Sequence, residues 1–121
     1  MPIIDVEIIG DDVPGRHGSA RDLADALGRV FATAPGRTWV RIRALPASAY
    51  AENEAEPAED GYPVFVTVLH AHPPEGAMRA TEVAAVTRAV ADWVRRDPRR
   101  VHVQYAPAAA GRQAFGGTLV G

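Results

Sequence analysis

The sequence contains no cysteine and no lysine, and its 13 basic residues are all arginine. Without cysteine there can be no disulfide, thiol nucleophile or thiolate-bound zinc. Without lysine there is no side-chain amine to form a Schiff base. Serine is limited to Ser19 and Ser48, neither in a nucleophile-elbow setting, which argues against a serine triad. Gly15, Gly18, Gly111, Gly116 and Gly117 fit neither a dinucleotide nor a Walker fingerprint. A net charge of −2 gives no electrostatic reason to expect nucleic acid. No apolar run approaches the roughly 18 residues of a membrane span, and the first residues include no basic n-region. The expectation is a soluble cytoplasmic protein with no membrane partner.

The residues present describe a globular α/β chain. At 121 residues and 12.9 kDa there is room for one domain, taken as 1–121, and 47% hydrophobic residues suffice for a core. The chain repeats itself. Met1-Pro2-Ile3-Ile4-Asp5-Val6-Glu7-Ile8-Ile9 reads as a strand, and 61 residues later Tyr62-Pro63-Val64-Phe65-Val66-Thr67-Val68-Leu69-His70 reads as another. An apolar stripe of Leu23, Ala26, Leu27, Val30 and Phe31 predicts a helix, with Ser19 and Asp22 as its N-cap pair. Val83, Val86, Val90, Trp93 and Val94 predict a second helix, with Arg95 and Arg96 placed to suit its C-terminal dipole. Pro35 and Pro98 are expected to end the two helices. Trp39 to Pro46 and Arg100 to Pro107 then alternate polar and apolar residues at the same offset of 61, as half-buried strands do.

The organisation predicted is two βαβ units in tandem, about 1–47 and 62–108, each with a right-handed crossover. Together they form a four-stranded mixed sheet with two helices on one face. Gly111 to Val120 reads as a short C-terminal edge strand that would add to a neighbouring sheet. The joining segment, Pro46 to Gly61, carries five acidic residues and no basic one. It reads as a solvated loop, with a lid as the alternative and Tyr50 as the residue to watch.

Two helices cover only one face of such a sheet. Val40, Ile42, Val101 and Val103 are assigned to the covered face, which places Trp39, Arg41, Arg43, His102 and Gln104 on the other. From the first strand of each repeat, Ile3, Asp5, Glu7 and Ile9, with Val64, Val66 and Val68, are assigned to that open face. A surface so apolar is expected to be buried by self-association. His70 and His72 form a possible metal half-site. With no carboxylate on a matching element they read as a strand-end pair in water, and no metal is expected. The arginines of 95–100 read as structural or surface residues.

Met1-Pro2 opening a strand, the tandem βαβ units, Val40-Arg41-Ile42 on the second strand and Phe115-Gly116-Gly117 near the end resemble the tautomerase superfamily. That group includes oxalocrotonate tautomerase, carboxymethyl-hydroxymuconate isomerase and macrophage migration inhibitory factor. The resemblance covers nearly the whole chain apart from the acidic loop. It implies a homotrimer, no metal or organic cofactor, and Pro2 as general base once Met1 has been removed. Proline at a chain start is a rigid secondary amine free of peptide resonance. A base works best with a pKa near the working pH. A cation about 7 Å away lowers an amine by roughly a unit or more at an effective dielectric near 20.

The resemblance further implies that Arg41 binds a substrate carboxylate or carbonyl. It places Arg37 where one branch has a substrate-binding lysine, and Arg16 where another has a loop arginine. His102 and Gln104 stand at positions that line a neighbouring subunit's pocket, with matching spacing and different residue types. Phe115 would form an apolar wall. The reaction implied interconverts keto and enol forms of a small anionic 2-oxo acid. The alternatives are a decarboxylase or dehalogenase with Pro2 as acid, or a non-catalytic binding protein. Active protein is expected to lack Met1, which an intact-mass measurement checks.

Overall fold

The computed structural model describes residues 1–10, 18–57 and 61–121. Its elements run β1 (Ile3–Ile9), α1 (Ala20–Phe31), β2 (Trp39–Leu45), β3 (Val64–Leu69), α2 (Gly76–Val94), β4 (Val101–Tyr105) and the short strands β5 (Ala114–Phe115) and β6 (Thr118–Leu119). The main sheet has the order β2-β1-β3-β4. Each βαβ unit supplies a parallel pair, β1 with β2 and β3 with β4, and the units join by antiparallel pairing of β1 with β3.

The helices form where the spacing predicts them. Asp22 N–H donates to Ser19 Oγ, and Ser19 N–H donates to the Asp22 carboxylate, each at 3.1 Å, which caps α1 reciprocally. Trp93 Nε1 donates to Ser19 O at 3.0 Å and so ties α2 to that same end. Gly18 makes room for the indole, since a Cβ there would lie 3.0 Å from Trp93 Nε1. The helices end earlier than their prolines suggest. Left-handed Ala32 and Arg95 turn the chain first, and Pro35 and Pro98 lie three residues further on. Arg96 does not serve the helix dipole with its side chain. Its guanidinium donates to Ile9 O, Tyr62 O and Pro63 O at 2.7, 2.9 and 3.1 Å, linking the end of β1 to the start of β3.

The core lies between the sheet and the helices and contains Ile4, Val6 and Ile8 of β1, Leu23 and Leu27 of α1, and Val86, Val90, Trp93 and Val94 of α2. Val64, Val66 and Val68 belong to it as well, all fully buried, so the open-face assignment is corrected. Val6 stands directly opposite Val66, and residues facing each other across two paired strands share a face. The open face instead takes Phe65, Thr67 and Leu69. The C-terminal segment forms two short strands, β5 and β6, which pair with each other as a hairpin. Its two-residue turn, Gly116-Gly117, has φ of 56° and 90°, values glycine adopts without strain.

Leu27 is wholly buried and packs α1 onto the sheet. Leu27→Ala is expected to cost about 2–5 kcal/mol by urea unfolding at fixed protein concentration.

Candidate active site

The strand directions bring the beginnings of β1 and β2 and the ends of β3 and β4 to one edge of the sheet. Pro2 is buried there, and its C=O accepts the Trp39 N–H at 3.1 Å, so it is already held in the sheet. The chain's amino group, on Met1, has its pKa lowered from the usual value near 8.0, first by partial burial and then by the positive charge of Arg37. Met1 nitrogen stands one residue before the amine that Met1 removal would expose. Arg37 itself is exposed, in the turn before β2. Phe115 stacks on Trp39 with ring centres 4.6 Å apart, bringing the C-terminal hairpin to the same edge. Pro2, Arg37 and Phe115 are therefore gathered at one end.

The remaining residues named from the sequence lie along the open face. Arg41 and Asp5 sit opposite each other on β2 and β1. The arginine donates to both carboxylate oxygens at 2.6 and 2.8 Å, an exposed fork whose carboxylate raises the guanidinium pKa. Gln104 Nε2 donates to Thr67 Oγ1 at 2.9 Å. His102 lies beside Phe65, ring centres 5.4 Å apart. Asp5, Arg41, Tyr50, Phe65, Thr67 and Gln104 line a hollow of about 460 Å³ that Pro2 does not reach. Within one chain, then, Arg41, Tyr50, His102 and Gln104 do not meet Pro2. Arg16 lies outside the described residues, as do 58–60 of the acidic loop.

The start of that loop is fastened down. Glu52 Oε2 accepts from the Tyr50 hydroxyl at 2.6 Å and from Arg100 at 2.7 Å, while Arg100 Nε donates to Gly61 O at 2.8 Å. The Tyr50 and Arg100 hydrogen bonds hold the Glu52 carboxyl below its usual pKa. Burial, and then Glu52, push the Tyr50 phenol up.

Sequence reasoning missed a second cluster. Glu82 Oε2 lies 3.0 Å from His70 Nε2 and accepts the hydroxyl proton of Tyr105, so His70 is not a strand-end group in water. His72, which lies past the end of β3, instead contacts Gly121 O at 3.0 Å. Burial first, then Glu82, drive the Tyr105 phenol well above its usual range. A signal was available: Glu82 precedes Val86 and Val90 at four-residue spacing, a carboxylate on the apolar stripe. Among the described residues no group of three His, Asp or Glu side chains could hold a metal ion, and no helix is long and apolar enough to cross a membrane.

No family model matches the chain, and no curated protein matches it by sequence. Solved structures do. A fused 4-OT described as an asymmetric trimer aligns with a TM-score of 0.77 at 13% identity, over 97% of this chain and 94% of that one. The chain has the tautomerase-superfamily fold. Pt0534 inactivated by 2-oxo-3-pentynoate aligns at 0.74 and 12% identity, over 97% of this chain and 94% of that one. Macrophage migration inhibitory factor from Oncomelania hupensis aligns at 0.72 and 15% identity, over 100% and 83%. The architecture is thus shared with these structures at identities of 12–15%.

Glu52 adds to burial in raising the Tyr50 phenol. Glu52→Gln removes the negative charge and leaves Arg100, so one tyrosine step in an ultraviolet pH titration is expected to move to lower pH.

Proposed function

We propose that this protein is a cofactor-independent tautomerase that interconverts keto and enol forms of a 2-oxo acid, with Pro2 as general base after Met1 removal. The observation that carries the reading is Pro2 itself. It is buried at the start of an inner strand, beside an α-amine position whose basicity burial and Arg37 depress. In the mature chain the Pro2 nitrogen would take a proton from the carbon next to the carbonyl and return it at the other end of the enolate. Arg37 would attract the carboxylate and stabilise the negative charge that develops. Phe115 and Trp39 would supply an apolar wall that keeps water from the transferred proton.

We further propose a homotrimer. One face of the sheet is left without helices and carries exposed Phe65 beside charged Arg41 and Arg43, and trimers occur among proteins of the same fold. Association over this face would bring Arg41, His102, Gln104 and Tyr50 of one copy to subunit boundaries, where they can complete a site that no single chain closes.

The test is ketonisation of phenylenolpyruvate by the mature protein and by Pro2→Ala. The variant is expected to lose roughly a hundredfold or more of the rate, the usual share of a general base. No turnover by either protein would favour a binding role, and release of halide or carbon dioxide from three-carbon acids would favour the dehalogenase or decarboxylase alternative. A cation disfavours a protonated amine and lowers its pKa. Arg37→Ala is therefore expected to raise the amine pKa and shift the acid limb of kcat/KM to higher pH.

A further inference from the structure

The cluster around Glu82 has a position that the mechanism above leaves unused. His70 and Glu82 are only 13% and 16% exposed in their side chains. The Phe31 ring meets His70 edge-on at 5.2 Å, and Tyr105 lies nearly parallel to His70 at 6.1 Å. Arg79 sits over the other ring of the cluster, 5.4 Å from the Tyr105 centre. Taking a carboxylate and an imidazole this far out of water is costly unless the polar groups are paired. Here the pairing fixes the imidazole. An ionised Glu82 can only accept, so with a neutral imidazole the bond at Nε2 places the hydrogen there and the lone pair on Nδ1. Nδ1 makes no hydrogen bond among the described residues.

The strand register brings His70 to the Pro2 end of the sheet. Ile3 of β1 is opposite Leu69 of β3, and extending that register by one position brings Pro2, the residue before Ile3, opposite His70, the residue after Leu69. Alternation turns both to the helix side: Pro2 is buried, and His70 reaches Phe31 of α1 and Glu82 of α2. Facing residues of an antiparallel pair have Cβ atoms about 4.5–5.5 Å apart. The His70 backbone is also held, since its C=O accepts the Ala109 N–H at 2.8 Å.

We propose that His70, oriented by Glu82 and Tyr105, is a positioning residue for the Pro2 amine, its Nδ1 accepting the amine N–H. The inference rests on Pro2 being the base. The neutral amine has one N–H and one lone pair, and holding the N–H aims the lone pair at the substrate. After the amine takes the substrate proton, one N–H stays on Nδ1 and the other carries the proton back to carbon, so no proton is gained or lost by His70. The charged and titratable groups around the imidazole are Glu82 and Arg79 of α2 and Tyr105 of β4. Arg37 acts on the amine from the β2 side.

The test uses 15N-Pro-labelled mature protein. The Pro2 nitrogen is titrated by NMR, and turnover is measured in parallel for wild type, His70→Leu, His70→Asn and the near-isosteric Glu82→Gln. Loss of the acceptor, or of the carboxylate behind it, destabilises the protonated amine. His70→Leu and Glu82→Gln are therefore expected to lower the amine pKa and reduce kcat about tenfold, with KM changed less than about twofold. His70→Asn, whose Oδ1 can stand in for Nδ1, is expected to recover most of both. An unchanged amine titration and kcat in folded Glu82→Gln, checked by circular dichroism, would overturn the proposal while leaving Pro2 as base. Full activity in Pro2→Ala would instead remove the reading on which it rests.

Discussion

The antiparallel pairing of β1 with β3, centred on Val6 opposite Val66, is the contact on which the rest of the molecule depends. Each βαβ unit supplies only two parallel strands and one helix, too little to bury an apolar face. Joined back to back through their first strands, the units make one sheet and one core. The same pairing decides which residues meet at each end. Because β1 and β3 run oppositely, the start of one faces the end of the other, and Pro2 comes to lie at the edge that holds His70, Trp39 and Tyr105.

Most of this architecture was legible in the sequence because its signals are local. The Ser19–Asp22 capping pair, the apolar stripes and the alternating third strands each arise from neighbours within a few residues, and each forms as its spacing predicts. The phase of β3 was not legible. The offset between repeats is 61 for Val40 and Val101, yet core residues Ile4 and Val64 stand 60 apart. With a period of two, one residue of slip moves every side chain to the other face. The continuous apolar character of β3 gives no internal clue to its phase, and only the pairing with β1 settles it.

The site divides in the same way. Pro2, Arg37 and Phe115 could be named from motif positions, and the fold gathers them at one end. The resemblance implies a substrate role for Arg41, and Asp5 across the strand pair accepts from its Nε and Nη2, a partnership visible only once β1 and β2 are in register. Glu82 and His70 are 12 residues apart, on a helix and at a strand end. Nothing in their spacing announces that they touch. The folded chain is needed to turn an odd carboxylate on an apolar stripe into half of a dyad.

The duplication has an outcome at the sheet's opposite edge. Pro63 is buried at the head of β3 much as Pro2 is at the head of β1, but its nitrogen is acylated by Tyr62 and has no basicity. Under the proposed function, joining two halves in one polypeptide leaves only one of the two symmetry-related proline nitrogens able to become an amine. The silent edge holds Arg96 instead, a permanent cation whose guanidinium gathers three carbonyl oxygens. One pole of the pseudo-dyad thus holds the nitrogen on which the proposed function depends, and the other is locked shut as a structural clasp.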